Sequence, residues 1–228
     1  MRSRSHVLRG TVGQWPGPLL AVVAAAILAT RCTATAPIQS PAPTSASSRG
    51  PFEPPDVTPR PDHAAAPAGD GTKAIIHTAL GDITIELYNV TAPVAATNFA
   101  KLAGEHFYDG VVFHRLVPGF VIQGGDPTGT GRGGPGYTIR DEPVVGDYER
   151  AIVAMARTPA PNSQGSQFFI CVADLRGRLP TSGGYAIFGR VVDGMSTVDQ
   201  IAALPNSGAP DNQALEPVAM TSVEIVAP

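Results

Sequence analysis

Arg115, next to His114 in the run VVFHRL, is the reactive side chain of this sequence that is hardest to assign to packing. An unpaired guanidinium is costly to bury among apolar neighbours, so Arg115 must either face a groove or have partners. For His114 a satisfied structural hydrogen bond is the simpler reading. The other chemical candidates are weaker. Gly129, Gly131 and Gly134 spell G-x-G-x-x-G, a spacing that cradles a pyrophosphate when a strand precedes it and a helix opens directly after it. The strand-like run from Phe120 to Gln123 is in place, but Pro135-Gly136-Tyr137-Thr138-Ile139 follows, with two breakers and then β-formers. No helix dipole is aimed at a phosphate, and there is no G-K-[ST] ending. Asp141-Glu142 could act as an acid–base pair, yet neighbours in a strand point to opposite faces, and a solvated loop suits them better. Ser166 lacks a nucleophile elbow, and Cys171 in SQFFICV reads as a small buried hydrophobe.

The elements that must position these groups lie beyond residue 72. KAIIHTAL and ITIELY, separated by Gly81-Asp82, read as a hairpin. In TAPVAATNFAKLAGEHF, Thr91 can cap a helix, Pro93 sits in its first turn, and Val94, Phe99 and Leu102 share one face. Further strand-like runs are VVFHRL, FVIQGG, AIVAMA, SQFFICV, YAIFGRVV and TSVEIV, with a second short helix near MSTVDQIAAL. Many short strands broken by Gly and Pro, with only two helices, predict a mainly β fold over residues 73–228: a closed antiparallel barrel capped by two helices. From the residues alone, Phe120 and Phe169 read as core.

The first third of the chain is different. Arg2, Arg4 and Arg9 precede an apolar run from Leu19 to Ala29, too short to span a bilayer, which predicts an export signal or membrane anchor over residues 1–32. Cys32 stands where an acylated lipoprotein cysteine would, although Arg31 replaces the usual small residue before it; cleavage after Ala34 or Ala36 and an uncleaved anchor are the competing readings. Residues 33–72 contain nine prolines and almost nothing to bury, and predict a disordered tether with a reach of roughly 120 Å when extended. Beyond Arg31 there are 12 basic and 19 acidic residues, so no basic nucleic-acid footprint exists and contact with a membrane is expected only through the N-terminal segment. Two cysteines, Cys32 and Cys171, make neither a disulfide framework nor a zinc site.

The stretches FYDGVVFHRLVPGFVIQGGDPTGTGRGGPGY, AMARTPAPNSQGSQFFICV and YAIFGRVVDGMSTVDQI closely resemble the cyclophilins, the cyclosporin-binding family of peptidyl-prolyl cis-trans isomerases, over residues 73–226. The resemblance implies a helix over each end of an eight-stranded barrel, a cofactor-free and metal-free isomerase of X-Pro bonds, and proline-containing peptides and unfolded protein segments as partners. It makes Arg115 the catalytic arginine, with Phe120, Gln123 and Phe169 completing the catalytic pocket. Gln167 lines the same groove, Ala156 contacts the peptide backbone, and His114 lies behind Arg115. Val121 stands where many members have Met, Arg157 where many have Asn, and Tyr185 where a pocket histidine is common. RGRLPTSGGYAIFG lacks the tryptophan usual before FG, with Leu179 and Pro180 near that place, which implies weakened cyclosporin binding. The glycine run is similar to a loop that borders the proline pocket. A non-catalytic proline-peptide module or holdase is the alternative from another class.

Overall fold

The computed structural model describes residues 66–228, so the expected signal or anchor, Cys32 and most of the expected tether lie outside the described residues. Eight strands and two helices occur among them. The strands are β1 (Lys73–Thr78), β2 (Gly81–Leu87), β3 (Arg115–Val117), β4 (Val121–Gly124), β5 (Ile152–Met155), β6 (Phe168–Cys171), β7 (Ile187–Asp193) and β8 (Met220–Val226). Helix α1 (Pro93–Gly104) packs on β7 and β8, and α2 (Met195–Ala202) packs on β2. The sheet is antiparallel throughout, in the order β3-β4-β6-β5-β7-β2-β1-β8.

The sheet curls but does not close as a ladder, which corrects the expectation of a closed barrel. β3 is only three residues long, too short to ladder with β8. The seam is bridged instead by the isolated pairs Val112–Ala219 and Arg115–Gln213, with Phe113 N–H donating to Val218 O and Met220 N–H to Val111 O. Two local readings also change. Gly81 opens β2 rather than forming the turn, since it pairs with Thr78 and leaves Ala79-Leu80 as the two-residue loop. Thr91 does not cap α1: its hydroxyl is drawn to Ala68, and the first turn is satisfied from 47 and 48 residues away by Glu142, whose two carboxylate oxygens accept Ala95 N–H and Val94 N–H, each at 2.8 Å. Glu142 is therefore structural, and Asp141 beside it accepts Asn162 N–H at 2.9 Å, so both carboxylates lie in a loop as expected but are half-buried and bonded rather than simply solvated.

Residues 66–72, assigned by composition to the tether, hydrogen-bond to the domain. Ala68 O accepts from Val90 N and Thr91 N, Asp70 N donates to Asn89 Oδ1, and Leu87 N donates to Thr72 O.

Side chains alternate between two buried clusters because a strand repeats every two residues. In β6, Phe168 and Ile170 join the inner core, where Phe168 meets Phe99, Tyr108, Phe113 and Phe188 edge-on, while Phe169 and Cys171 enter a smaller cluster on the opposite face. β4 divides likewise: Ile122 points inward and Val121 outward. Cys171 is fully buried and free, and desolvation pushes its thiol up to about 12. This outer cluster is the floor on which the site is built.

Candidate active site

The register of four strands sets Arg115, Gln123, Phe169 and Ala154 in one row, with Arg115 paired to Gln123, Gln123 to Phe169, and Phe169 to Ala154. The first three project to the outer face. They border a cavity of about 230 Å³ whose walls are Phe120, Val121 and Phe169, with Ala156, Arg157, Leu179 and Tyr185 around the rim. Nine of the eleven residues singled out in the sequence thus converge on one pocket. Tyr185 meets Phe169 edge-on at 5.3 Å. The remaining two stand beside it: Gln167 lines an adjoining cavity of about 530 Å³ along the glycine-rich loop, and His114 lines a third of about 420 Å³ on the far side of Arg115. Gln123 borders all three, so the cavities adjoin one another around its side chain along one groove-like face.

The polar groups are oriented by a short relay. Gly133 O can only accept, so Gln167 Nε2 must donate to it, at 2.9 Å; Gln167 Oε1 then faces Gln123 and accepts from its Nε2, also at 2.9 Å. Gln123 is left with its carbonyl oxygen available to the groove. Arg115 is half-buried, and among the described residues its guanidinium has no hydrogen-bond or ion-pair partner, so its donors are free for whatever enters.

His114 departs from expectation. It is 5 % exposed, and neither ring nitrogen makes a well-formed hydrogen bond among the described residues, its approach to the Val112 backbone being too loose to count as one. Burial lowers its pKa, against the pull of nearby Asp126. Asp126, the natural partner, is already committed: its carboxylate accepts Thr128 N–H at 2.7 Å, Thr130 N–H at 3.0 Å and Gly133 N–H at 3.1 Å. Those donors outweigh desolvation and hold the carboxyl near 2. A Cβ at Gly133 would fall 2.0 Å from the same carboxylate, so glycine is required there by closeness. Gly125, with φ +86° and a virtual Cβ 2.3 Å from Ser166 O, is required by both angle and space. The glycines of this run shape a loop around Asp126, and no helix follows them.

Arg157 reaches the pocket but its guanidinium is spent on the scaffold. It donates to Gly183 O at 2.9 Å and Ala160 O at 3.0 Å and pairs with Asp141 at 3.3 Å, which fastens the 157–163 loop to the 179–185 loop. Tyr148 fastens the same loop from beneath: its hydroxyl accepts Tyr185 N–H at 2.8 Å and lies 2.9 Å from Tyr185 O. Burial raises this phenol to about 12. Sequence reasoning missed Tyr148, Asp126 and Arg178, whose guanidinium carbon lies 5.0 Å from the centroid of the Phe120 ring. Asp126 carried a legible signal, an aspartate opening a D-P-T-G turn. Arg178 sits in an irregular loop with no periodicity to place it.

An apolar slot with two phenylalanine walls lies beside an unpartnered arginine and a glutamine with a free acceptor, on the outer face of a curled antiparallel sheet. The family model for cyclophilin type peptidyl-prolyl cis-trans isomerases matches residues 73–225. The chain belongs to that family. Similar proteins include a peptidyl-prolyl cis-trans isomerase of Acinetobacter baylyi, 43 % identical over 160 residues that make up 68 % of this chain and 85 % of that one. One from Schizosaccharomyces pombe is 46 % identical over 57 % of this chain and 84 % of its own. Among solved structures, a cyclophilin type isomerase of Cryptosporidium parvum, crystallised in the presence of the dipeptide Ala-Pro, superposes with a TM-score of 0.62 at 34 % identity, covering 68 % of this chain and 99 % of that one.

Proposed function

We propose that the pocket bounded by Arg115, Phe120, Gln123 and Phe169 performs the isomerisation of X-Pro bonds in protein and peptide clients. Unaided rotation crosses a barrier of about 20 kcal/mol, because twisting the amide breaks its resonance. At the top of the barrier the proline nitrogen is pyramidal and its lone pair becomes an acceptor. Arg115 is suited to that nitrogen: it is always protonated, cannot act as a base, and has no partner to give up. Phe120, Val121 and Phe169 hold the proline ring while the preceding carbonyl swings, and Gln123 Oε1 accepts a peptide N–H. Gln167 and Ala156 border the path of the peptide backbone. No bond is broken, so no nucleophile, metal or cofactor has a task in this scheme.

The observation that carries the reading is the unpartnered Arg115 set directly opposite Gln123 above the phenylalanine slot. A protease-coupled assay on a short X-Pro peptide tests it, since a binding module or holdase would saturate without accelerating the exchange. The apolar run at Leu19–Ala29 and the proline-rich segment after it support an exported, tethered protein acting on clients outside the cytoplasm, with Cys32 as a candidate acylation site. Detection of acyl chains on a mature N-terminal Cys32 by mass would establish the anchor, and an unmodified terminus near Thr35 or Pro37 would reject it.

A further inference from the structure

We propose that the groove selects proline segments flanked by acidic side chains, a substrate preference that rests on the isomerase reading above. Residues 73–228 carry ten basic and fifteen acidic side chains, so a domain of this balance has no general attraction for anions. The pairing of its cations is uneven. Away from the groove, Arg150 pairs with Asp199, Arg176 with Asp174 and Glu149, Arg190 with Glu149, and Lys101 with Glu105. At the groove, Arg115 and Arg132 have no carboxylate within 4.0 Å among the described residues, Arg178, equally without one, lies just outside the cavities over the ring of Phe120, and Arg157 is already balanced by Asp141 and held by loop carbonyls. The only carboxylate lining the three adjoining cavities is Asp211, at the end beyond Arg115. Among the described residues, Lys73 and Arg140, the other cations without a carboxylate partner, lie off the groove, at the start of β1 and beside α1.

Arg178 is held where it can read a substrate. Leu175 anchors its loop in the outer cluster, Arg178 N–H donates to Leu175 O at 2.9 Å, and Arg157 and Tyr148 pin the loop further on. The guanidinium lies over Phe120 with Nη1 3.5 Å from Gly119 O, just outside the slot, where a side chain extending beyond a seated proline would meet it. Arg132 stands on the opposite side, in the wall shared by the two larger cavities. Charges of one sign lining a cleft reinforce one another there and are screened by salt outside it.

The test compares peptides that carry Glu, Gln or Lys on both sides of one X-Pro bond, with cis-trans exchange followed by NMR so that no coupling protease imposes its own preference. At about 20 mM salt the Glu peptide is expected to exceed the Lys peptide by about tenfold in kcat/KM, the sum of several exposed ion pairs, and the ratio is expected to fall toward unity at about 0.5 M. Reversing Arg132→Glu and Arg178→Glu together is expected to invert the Glu-to-Lys order. Equal acceleration of all three peptides, or a ratio unmoved by the reversal, overturns the preference and leaves the isomerase reading standing. No acceleration of any peptide overturns both.

Discussion

Arg115 and Gln123 are direct cross-strand partners on the outer face of β3 and β4, and Gln123 is bound to Gln167 through its amide nitrogen, which turns its oxygen toward the groove. The arginine is thereby positioned by strand register, not by an ion pair, and its donors stay free. Removing one preorganised donor to a developing acceptor costs about 2.7 to 4 kcal/mol, or roughly 100- to 1,000-fold in rate. Arg115→Ala is expected to lose kcat/KM by that factor with an unchanged melting temperature. A loss within about threefold would rule out this assignment of the donor.

The reach of Glu142 to the first turn of α1 predicts a stability effect far from the site. Glu142→Ala leaves Val94 N–H and Ala95 N–H without their carboxylate, a loss of about 1 to 2 kcal/mol. Thermal unfolding is expected to shift down by several degrees, whereas Thr91→Val, at the position that looked like the cap, should disturb only the contact with Ala68.

Asp126 sets a pH dependence. Its folded pKa, about 2, lies below the unfolded value near 3.8, so its contribution to stability is fully present above about pH 4 and is lost as pH falls toward 2. Wild type is therefore expected to melt above Asp126→Asn at pH 5 and to converge with it as the pH is lowered through that window. A constant gap would show that the carboxylate charge is not what orders the loop.

Removal of residues 1–65 is expected to leave melting temperature and turnover unchanged. Cutting further, to residue 73, removes the bonds of Ala68 and Asp70 to the 89–91 turn and should lower the melting temperature measurably.

The domain from residue 66 contains no tryptophan, since Trp15 is the only one in the chain. Leu179 and Tyr185 line the pocket instead. Loss of an indole donor and its contact surface is worth about 1 to 3 kcal/mol, so cyclosporin is expected to bind roughly 5- to 150-fold more weakly than to a tryptophan-bearing cyclophilin titrated alongside. Equal affinity would refute this.

What could be read from the sequence was whatever depends on period or on a long continuous motif. Alternation located the strands, and the motif brought Arg115, Phe120, Gln123 and Phe169 together, although composition alone would have placed both phenylalanines in the core. Which of the adjacent Phe168 and Phe169 walls the groove is decided by pairing with β4 and β5, which is tertiary information. Glu142 caps a helix 47 residues before it and Arg157 ties two loops, and neither act has a local signature. The open seam was equally invisible, because β3 stops at the turn of residues 118–120 and nothing in the apolar run VVFHRL marks where its ladder begins.

Cys171 gives the domain a built-in clock for its own opening. The thiol lies two residues beyond Phe169 on the same face of β6, sealed from solvent and held protonated, so a maleimide cannot reach it while the strand is in place. It is the sole cysteine after residue 32, so alkylation of the isolated domain has one address. The rate of that reaction counts how often the strand carrying the proline wall leaves the sheet, and a tightly bound proline peptide should slow it.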